Sequence, residues 1–253
     1  MIQITTKSKG AVDRSTILSL NVPRRAGTRF PSAASAAAEP ADIRPAKRPA
    51  AAPAARPAPP PAIRPVPPLK HPVQKGQKAP LSSGKPLKNI KACFGWNTSC
   101  PQCDVDVSAF LLGADGKVPG DSWFVFYGQT VSPDRSTEFM EVSSVDRELI
   151  HIDLQKLNPQ VQKIVFVLTI NDAFARKLNF GMVKDAYVRI LDAADNTELV
   201  SFQMAEYYSN VISMMIGEVY IHNGLWKFNA VGNGVSKDLE GLCGLYGVQV
   251  SNE

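Results

Sequence analysis

The residues best suited to chemistry are acidic. In Asp104-Val105-Asp106-Val107 the two-residue period of an extended strand puts both carboxylates on one face and both valines on the other. Two carboxylates side by side repel; where they converge they need a cation or a proton. More oxygens stand near the ends of apolar runs, at Asp146, Glu148, Asp153, Asp172 and Glu206, with Asn171 beside Asp172. A group of hard oxygen ligands favours Ca²⁺ over softer metals. The competing reading is a solvated acidic face. Residues 192–198 do not form an EF-hand loop, because the spacing is wrong and the central glycine is missing.

The thiols come next. Cys100-Pro101-Gln102-Cys103 is a CxxC pair, and Cys93 and Cys243 complete the cysteines. Together they could form a Cys₄ zinc site, and Cys100 with Cys103 could form a redox pair. No second CxxC supports zinc, and no βαβ pattern supports a thioredoxin-like arrangement. Cys93 and Cys243 lie in apolar surroundings and read as core residues. His71, His151 and His222 share no spacing, and no Ser-His-Asp or Cys-His arrangement is legible. A non-enzymatic role is therefore expected.

The elements that must position these groups begin at residue 89. Short apolar runs at 90–96, 104–112, 122–127, 148–153, 162–170, 185–191, 198–203, 213–221 and 225–231 read as strands. Ala114-Asp115-Gly116 and His222-Asn223-Gly224 supply Asp-Gly and Asn-Gly turns. The run Ile164-Val165-Phe166-Val167-Leu168 is apolar on both faces, which predicts a central strand covered on both sides. The expectation is an all-β fold, a β-sandwich with a few short helices at 154–157, 172–178 and 236–246, the last capped by Ser236.

The first part of the chain has a different character. Sixteen of the 20 prolines fall in residues 1–91, a stretch with 17 Lys and Arg against 3 Asp and Glu. Residues 92–253 carry 11 against 20, with all three Trp and all six Tyr. Residues 31–71 are Pro/Ala/Arg-rich and lack the large apolar side chains that would offset ordering entropy. They predict a disordered linker of polyproline II character, behind a basic segment 1–30 and ahead of a domain at 72–253. The basic residues 1–91 would attract nucleic acid or an anionic membrane surface weakly at low salt, or would serve as a solubilising tether. There is no run of ~18 apolar residues and no apolar core near the N-terminus, so neither a transmembrane helix nor a secretory signal is expected.

A set of ordered motifs then carries a resemblance. It begins at Gln74-Lys75-Gly76-Gln77-Lys78, Leu87-Lys88-Asn89-Ile90 and Phe94-Gly95-Trp96, and runs through Asp104–Leu112, Phe124-Val125-Phe126-Tyr127 and Ser132-Pro133-Asp134. It continues in the strand at 164–170, Asn179-Phe180-Gly181, Gly217-Glu218, His222–Phe228 and Ala230–Gly234. Residues ~72–250 resemble the TerD family of tellurium-resistance and stress proteins. The resemblance implies a Ca²⁺-binding β-sandwich without established catalytic activity, serving resistance to tellurite and other chemical stress. It implies a bacterial protein, cytoplasmic or peripheral at the inner membrane face, with TerD paralogues or other stress-complex proteins as partners. On this reading Asp104, Asp106, Asp146, Glu148, Asn171, Asp172 and Glu206 are the metal-site candidates. The chain departs from the family pattern where a Gly- and Asp-rich loop is usual: residues 138–148 read EFMEVSSVDRE, with Arg147 in place of an acid. A reduced Ca²⁺ site is expected. The alternatives are a metal-free scaffold tethered by the basic tail and a thiol-dependent metalloid-handling protein using Cys100 and Cys103.

Overall fold

The structure, a computed structural model, describes residues 63–250 except Ser83 and Ser143. Two antiparallel sheets face each other. The first has the order β1-β11-β10-β7-β3-β4, with β12 also paired to β10. Its strands are β1 (Lys78–Pro80), β3 (Val105–Leu112), β4 (Phe124–Val125), β7 (Lys163–Ile170), β10 (Ser213–His222), β11 (Leu225–Asn229) and β12 (Asn233–Val235). The second has the order β5-β6-β2-β8-β9. It is built from β2 (Asn89–Thr98), β5 (Thr137–Glu141), β6 (Glu148–Asp153), β8 (Val183–Asp192) and β9 (Glu198–Gln203).

Alternation along the strands builds the core between the sheets. Ala92 and Phe94 of β2, Val105 and Val107 of β3, and Ile164, Phe166 and Leu168 of β7 share one apolar cluster. Burial of these faces removes apolar area from water at about 25 cal/mol per Å². The other face of β7 is also covered. Val165 and Val167 join Phe110, Phe124 and Phe126 in a second cluster under the helix α2 (Leu239–Tyr246). This is why the run at 164–168 carries no polar face. Phe110, Phe124 and Phe126 stack at centroid distances of 4.4 and 4.6 Å.

Strands β6 and β9 match the expected ranges, and the other long strands differ by a few residues at their ends. Strands β1, β5 and β12 were not anticipated. Two are three residues long, and β5 is an edge strand with three of five positions exposed. Residues 122–127 only partly form a strand: Asp121–Trp123 is a 3₁₀ turn leading into the two-residue β4. At 154–157 the chain makes a turn rather than a helix, with Asp153 Oδ1 accepting from the Gln155 and Lys156 amides. The third expected helix starts later than predicted. Asp238, not Ser236, is its N-cap, accepting from Gly241 N at 2.9 Å. A carboxylate at this position also complements the helix dipole.

Residues 1–62, with the basic segment and most of the proposed linker, lie outside the described residues. Residues 63–71, read from the sequence as linker, are docked on the domain. Proline leaves few backbone donors here, and three of the remaining ones find side-chain acceptors. Arg64 N donates to Asn97 Oδ1 at 2.9 Å, and Lys70 N and His71 N both donate to Glu198 Oε1 at 2.8 and 2.9 Å. Pro72 then bridges in parallel to Ser201, covering part of the free edge of β9. Glu198 is 4% exposed, so Glu198→Ala leaves two amides without their charged acceptor. The expected loss is about 2–4 kcal/mol, from hydrogen bonds to a charged group. The variant should gain early protease cleavage between residues 63 and 75; an unchanged cleavage pattern would show that the carboxylate does not hold the segment.

Candidate functional site

One end of the sandwich opens into a cleft of about 540 Å³. Asp104, Asp106, Glu148 and Asn171 line it, together with Glu141. Asp104 immediately precedes β3 and Asp106 lies at its start; Glu148, Asn171 and Glu141 come from the start of β6, the residue after β7 and the end of β5, which the antiparallel topology brings to one end. Asp104 is tied to the β7 exit by Asn171 N donating to its carbonyl at 2.9 Å. Asp106 is 9% exposed and lies opposite Thr169. Glu148 reaches between the sheets, and its Oε2 accepts from Val107 N at 2.7 Å. Asn171 Oδ1 is buried and makes no hydrogen bond to the described residues.

The same walls carry Arg64, Arg147 and Arg176. The Arg147 guanidinium sits 5.7 Å from the centroid of Trp96 and donates from Nε to the Trp96 carbonyl at 2.6 Å. Burial, and after it the nearby Arg64 charge, pulls the Arg147 pKa down. Three formal positive charges thus stand among four carboxylates.

The remaining metal-site candidates lie elsewhere. Asp146 belongs to a network on the outer face of the second sheet. Its Oδ2 accepts from Arg189 Nη2 at 2.6 Å and its Oδ1 from Tyr187 OH at 3.0 Å. The chain bends through 144–147, so strand alternation does not extend back from Glu148 to Asp146. The Tyr187 ring needs Gly95 beneath it, where an added Cβ would stand 2.4 Å from ring atoms. Asp172, at φ 52°, pairs with Arg176 Nη2 at 3.2 Å across the single helical turn α1 (Ala173–Arg176). Glu206 borders a separate, more apolar pocket with Val73 and Phe202, where it pairs with Lys75 Nζ at 3.1 Å.

The oxygens of the cleft are the hard type that Ca²⁺ takes. Their arrangement is loose, however. Among the described residues no three acidic, histidine or cysteine side chains come close enough together to hold a metal. The donor set therefore suits at most a weakly held cation, opposed by the arginines, and not a closed shell of carboxylates.

The cysteines do not form a Cys₄ centre. Cys93 lies on the outer sheet face with Leu149 and Leu191, Cys243 is on the buried face of α2, and Cys103 faces the core between the sheets. All four are free. Burial pushes the thiols of Cys93, Cys103 and Cys243 up to about 12. Arg64 and Glu141 were not singled out from the sequence, and Trp96 entered only as part of a family motif. Alternation in Thr137-Glu138-Phe139-Met140-Glu141 carries a signal for Glu141. Arg64 reaches the cleft only through the docking of residues 63–71.

Two facing antiparallel sheets with an acidic cleft at one end define the class, a β-sandwich protein. The TerD domain profile matches residues 69–246, and the chain belongs to the TerD family. It is 38% identical over 188 residues to the tellurium resistance protein TerD of Serratia marcescens, covering 71% of this chain and 98% of that protein. It is 37% identical over 186 residues to general stress protein 16U of Bacillus subtilis (strain 168), covering 70% and 96%. A solved homologue of telluride resistance protein (TerD) from Streptomyces coelicolor A3(2) aligns with TM-score 0.46 and 17% identity, over 61% of this chain and 94% of that one. Relatives named for tellurium resistance and general stress support a stress-response role. Among the described residues no helix is long and apolar enough to cross a membrane.

Proposed function

We propose that the chain is a non-catalytic binding module of the response to tellurite and other chemical stress, with a reduced Ca²⁺ site. Asp104 and Asp106, with the Asn171 amide oxygen that lines the same cleft, would hold the cation, and its charge would offset the repulsion between the carboxylates. The observation that carries this reading is the composition of the cleft. Carboxylates and a buried amide oxygen line it, yet Arg64, Arg147 and Arg176 share the walls. In EF-hands, Ca²⁺ affinity is set by ligand charge count and site rigidity, and weak sites fall at about 10⁻⁴–10⁻³ M. The arginines lower the net negative charge, and one oxygen of Glu148 is already engaged by a backbone amide. Partners would be paralogous TerD-family chains or other proteins of the stress response.

The test is a Ca²⁺ titration of the full chain read by thermal unfolding, with Mg²⁺ as control. A ligand that binds only the native state raises stability by RT ln(1 + [L]/Kd). The expected result is no shift at micromolar Ca²⁺ and a Ca²⁺-specific rise at millimolar Ca²⁺ that Asp104→Ala with Asp106→Ala removes. Saturation at micromolar levels would show an intact site, contrary to the reduced one proposed. No shift at any concentration would leave a metal-free interaction scaffold.

A further inference from the structure

Residues 100–103 form a turn closed by Cys103 N donating to the Cys100 carbonyl at 3.1 Å. The first and fourth residues of a β-turn have Cα atoms less than ~7 Å apart, which overlaps the Cα separation of disulfides. Pro101 occupies the second position, where its fixed φ favours the turn. Both side chains face the same cluster: Cys103 is 5% exposed within the core between the sheets, and the half-buried Cys100 packs against that core from the surface. One thiol is therefore accessible, and the other is sheltered beside it.

We propose that Cys100 and Cys103 form a reversible dithiol–disulfide couple on the rim of the acidic cleft, with low-molecular-weight disulfides such as oxidised glutathione as the oxidant. The Cys100 thiol loses its proton, and its sulfur attacks one sulfur of the oxidant. The oxidant's S–S bond breaks, and one glutathione thiolate leaves and takes up a proton. The Cys103 sulfur, giving up its proton, then attacks Sγ of Cys100 in the mixed disulfide. The Cys100–Cys103 bond forms and a second glutathione leaves as the thiol. Two electrons pass from the protein to the oxidant. Exposed disulfides are the more easily reduced ones, so the bond should reopen with a dithiol reductant. The turn runs directly into Asp104, and Cys103 lines the cleft beside it. The bond would therefore stiffen the backbone that enters β3. This inference does not depend on the cleft holding a cation.

The experiment treats the full chain with excess oxidised glutathione, then alkylates under denaturing conditions and measures peptide masses. The expected result is loss of two of the four free thiols. The peptide spanning 100–103 should lose two hydrogens, and dithiothreitol should restore it. Cys93 and Cys243, 2% and 0% exposed, serve as internal controls. Cys103→Ser should trap one glutathione on Cys100, and Cys100→Ser should leave Cys103 reduced. Four free thiols after oxidation, or a glutathione adduct on Cys100 of the unmutated chain that never closes, would overturn the proposal. The unmutated chain decides this by itself, even where Cys103→Ser fails to fold.

Discussion

Asp146→Ala is expected to destabilise the domain by about 3–5 kcal/mol, the usual cost of removing one partner from a buried ion pair. The Asp146 and Arg189 side chains are 8% and 15% exposed and 2.6 Å apart. Without the carboxylate, the Arg189 charge remains half-enclosed between Cys93 and Tyr187, and the Tyr187 hydroxyl loses an acceptor. The loss should appear in denaturant unfolding as a lower midpoint at constant slope. A second variant separates the pair from its setting. Adding Arg189→Met to Asp146→Ala removes both charges, and replacing a buried pair by apolar groups is often neutral or stabilising. The double variant should recover most of the loss. A single-variant loss below about 1 kcal/mol, within the range of exposed pairs, would show that water reaches Arg189. Either result also bears on the cleft, because Asp146 lies on the outer face, and its removal should leave the Ca²⁺ response unchanged.

The other large effect lies at the centre of the sandwich. Phe166 of β7 is fully buried, and its ring meets Phe94 of β2 edge-on at 5.3 Å, joining the two sheets. Phe166→Ala should cost about 3–5 kcal/mol, combining lost transfer energy with an unfilled cavity. For a domain of this size each kcal/mol lowers Tm by roughly 2–4 °C, so a fall of about 10 °C is expected in calorimetry. Phe166→Leu fills more of the space and should cost less. Equal losses for the two variants would mean that volume is not what the site requires, and a fall of less than about 3 °C for Phe166→Ala would show that the sheets close over the gap.

Much of the fold was legible because the signals are local. Alternating apolar residues, the doubly apolar run at 164–168, and the Asn223-Gly224 turn, which takes up φ 53° and 74°, each follow from short-range periodicity or backbone sterics. The strands missed in the sequence have weak local signals. Edge strand β5 is largely polar, while β1 and β12 are too short for alternation to show. The ordered family motifs in residues ~72–250 mark the chain as TerD-like through residue identity and order, which do not depend on how the strands pair.

By itself, the sequence determined an all-β sandwich, a family, and the closely spaced acids Asp104 and Asp106 where β3 begins. Tertiary structure decided which of the other acids join them. Glu148 and Asn171 come to the cleft because antiparallel pairing brings the start of β6 and the exit of β7 to the same end as the start of β3. Asp146, Asp172 and Glu206 instead meet Arg189, Arg176 and Lys75, choices made by cations far away in sequence or across a single helical turn. Arg64 and Arg147 likewise reach the cleft through docking and a bent loop. Charge–charge contacts depend on distance in space, whereas residue periodicity encodes only which face of an element a side chain occupies.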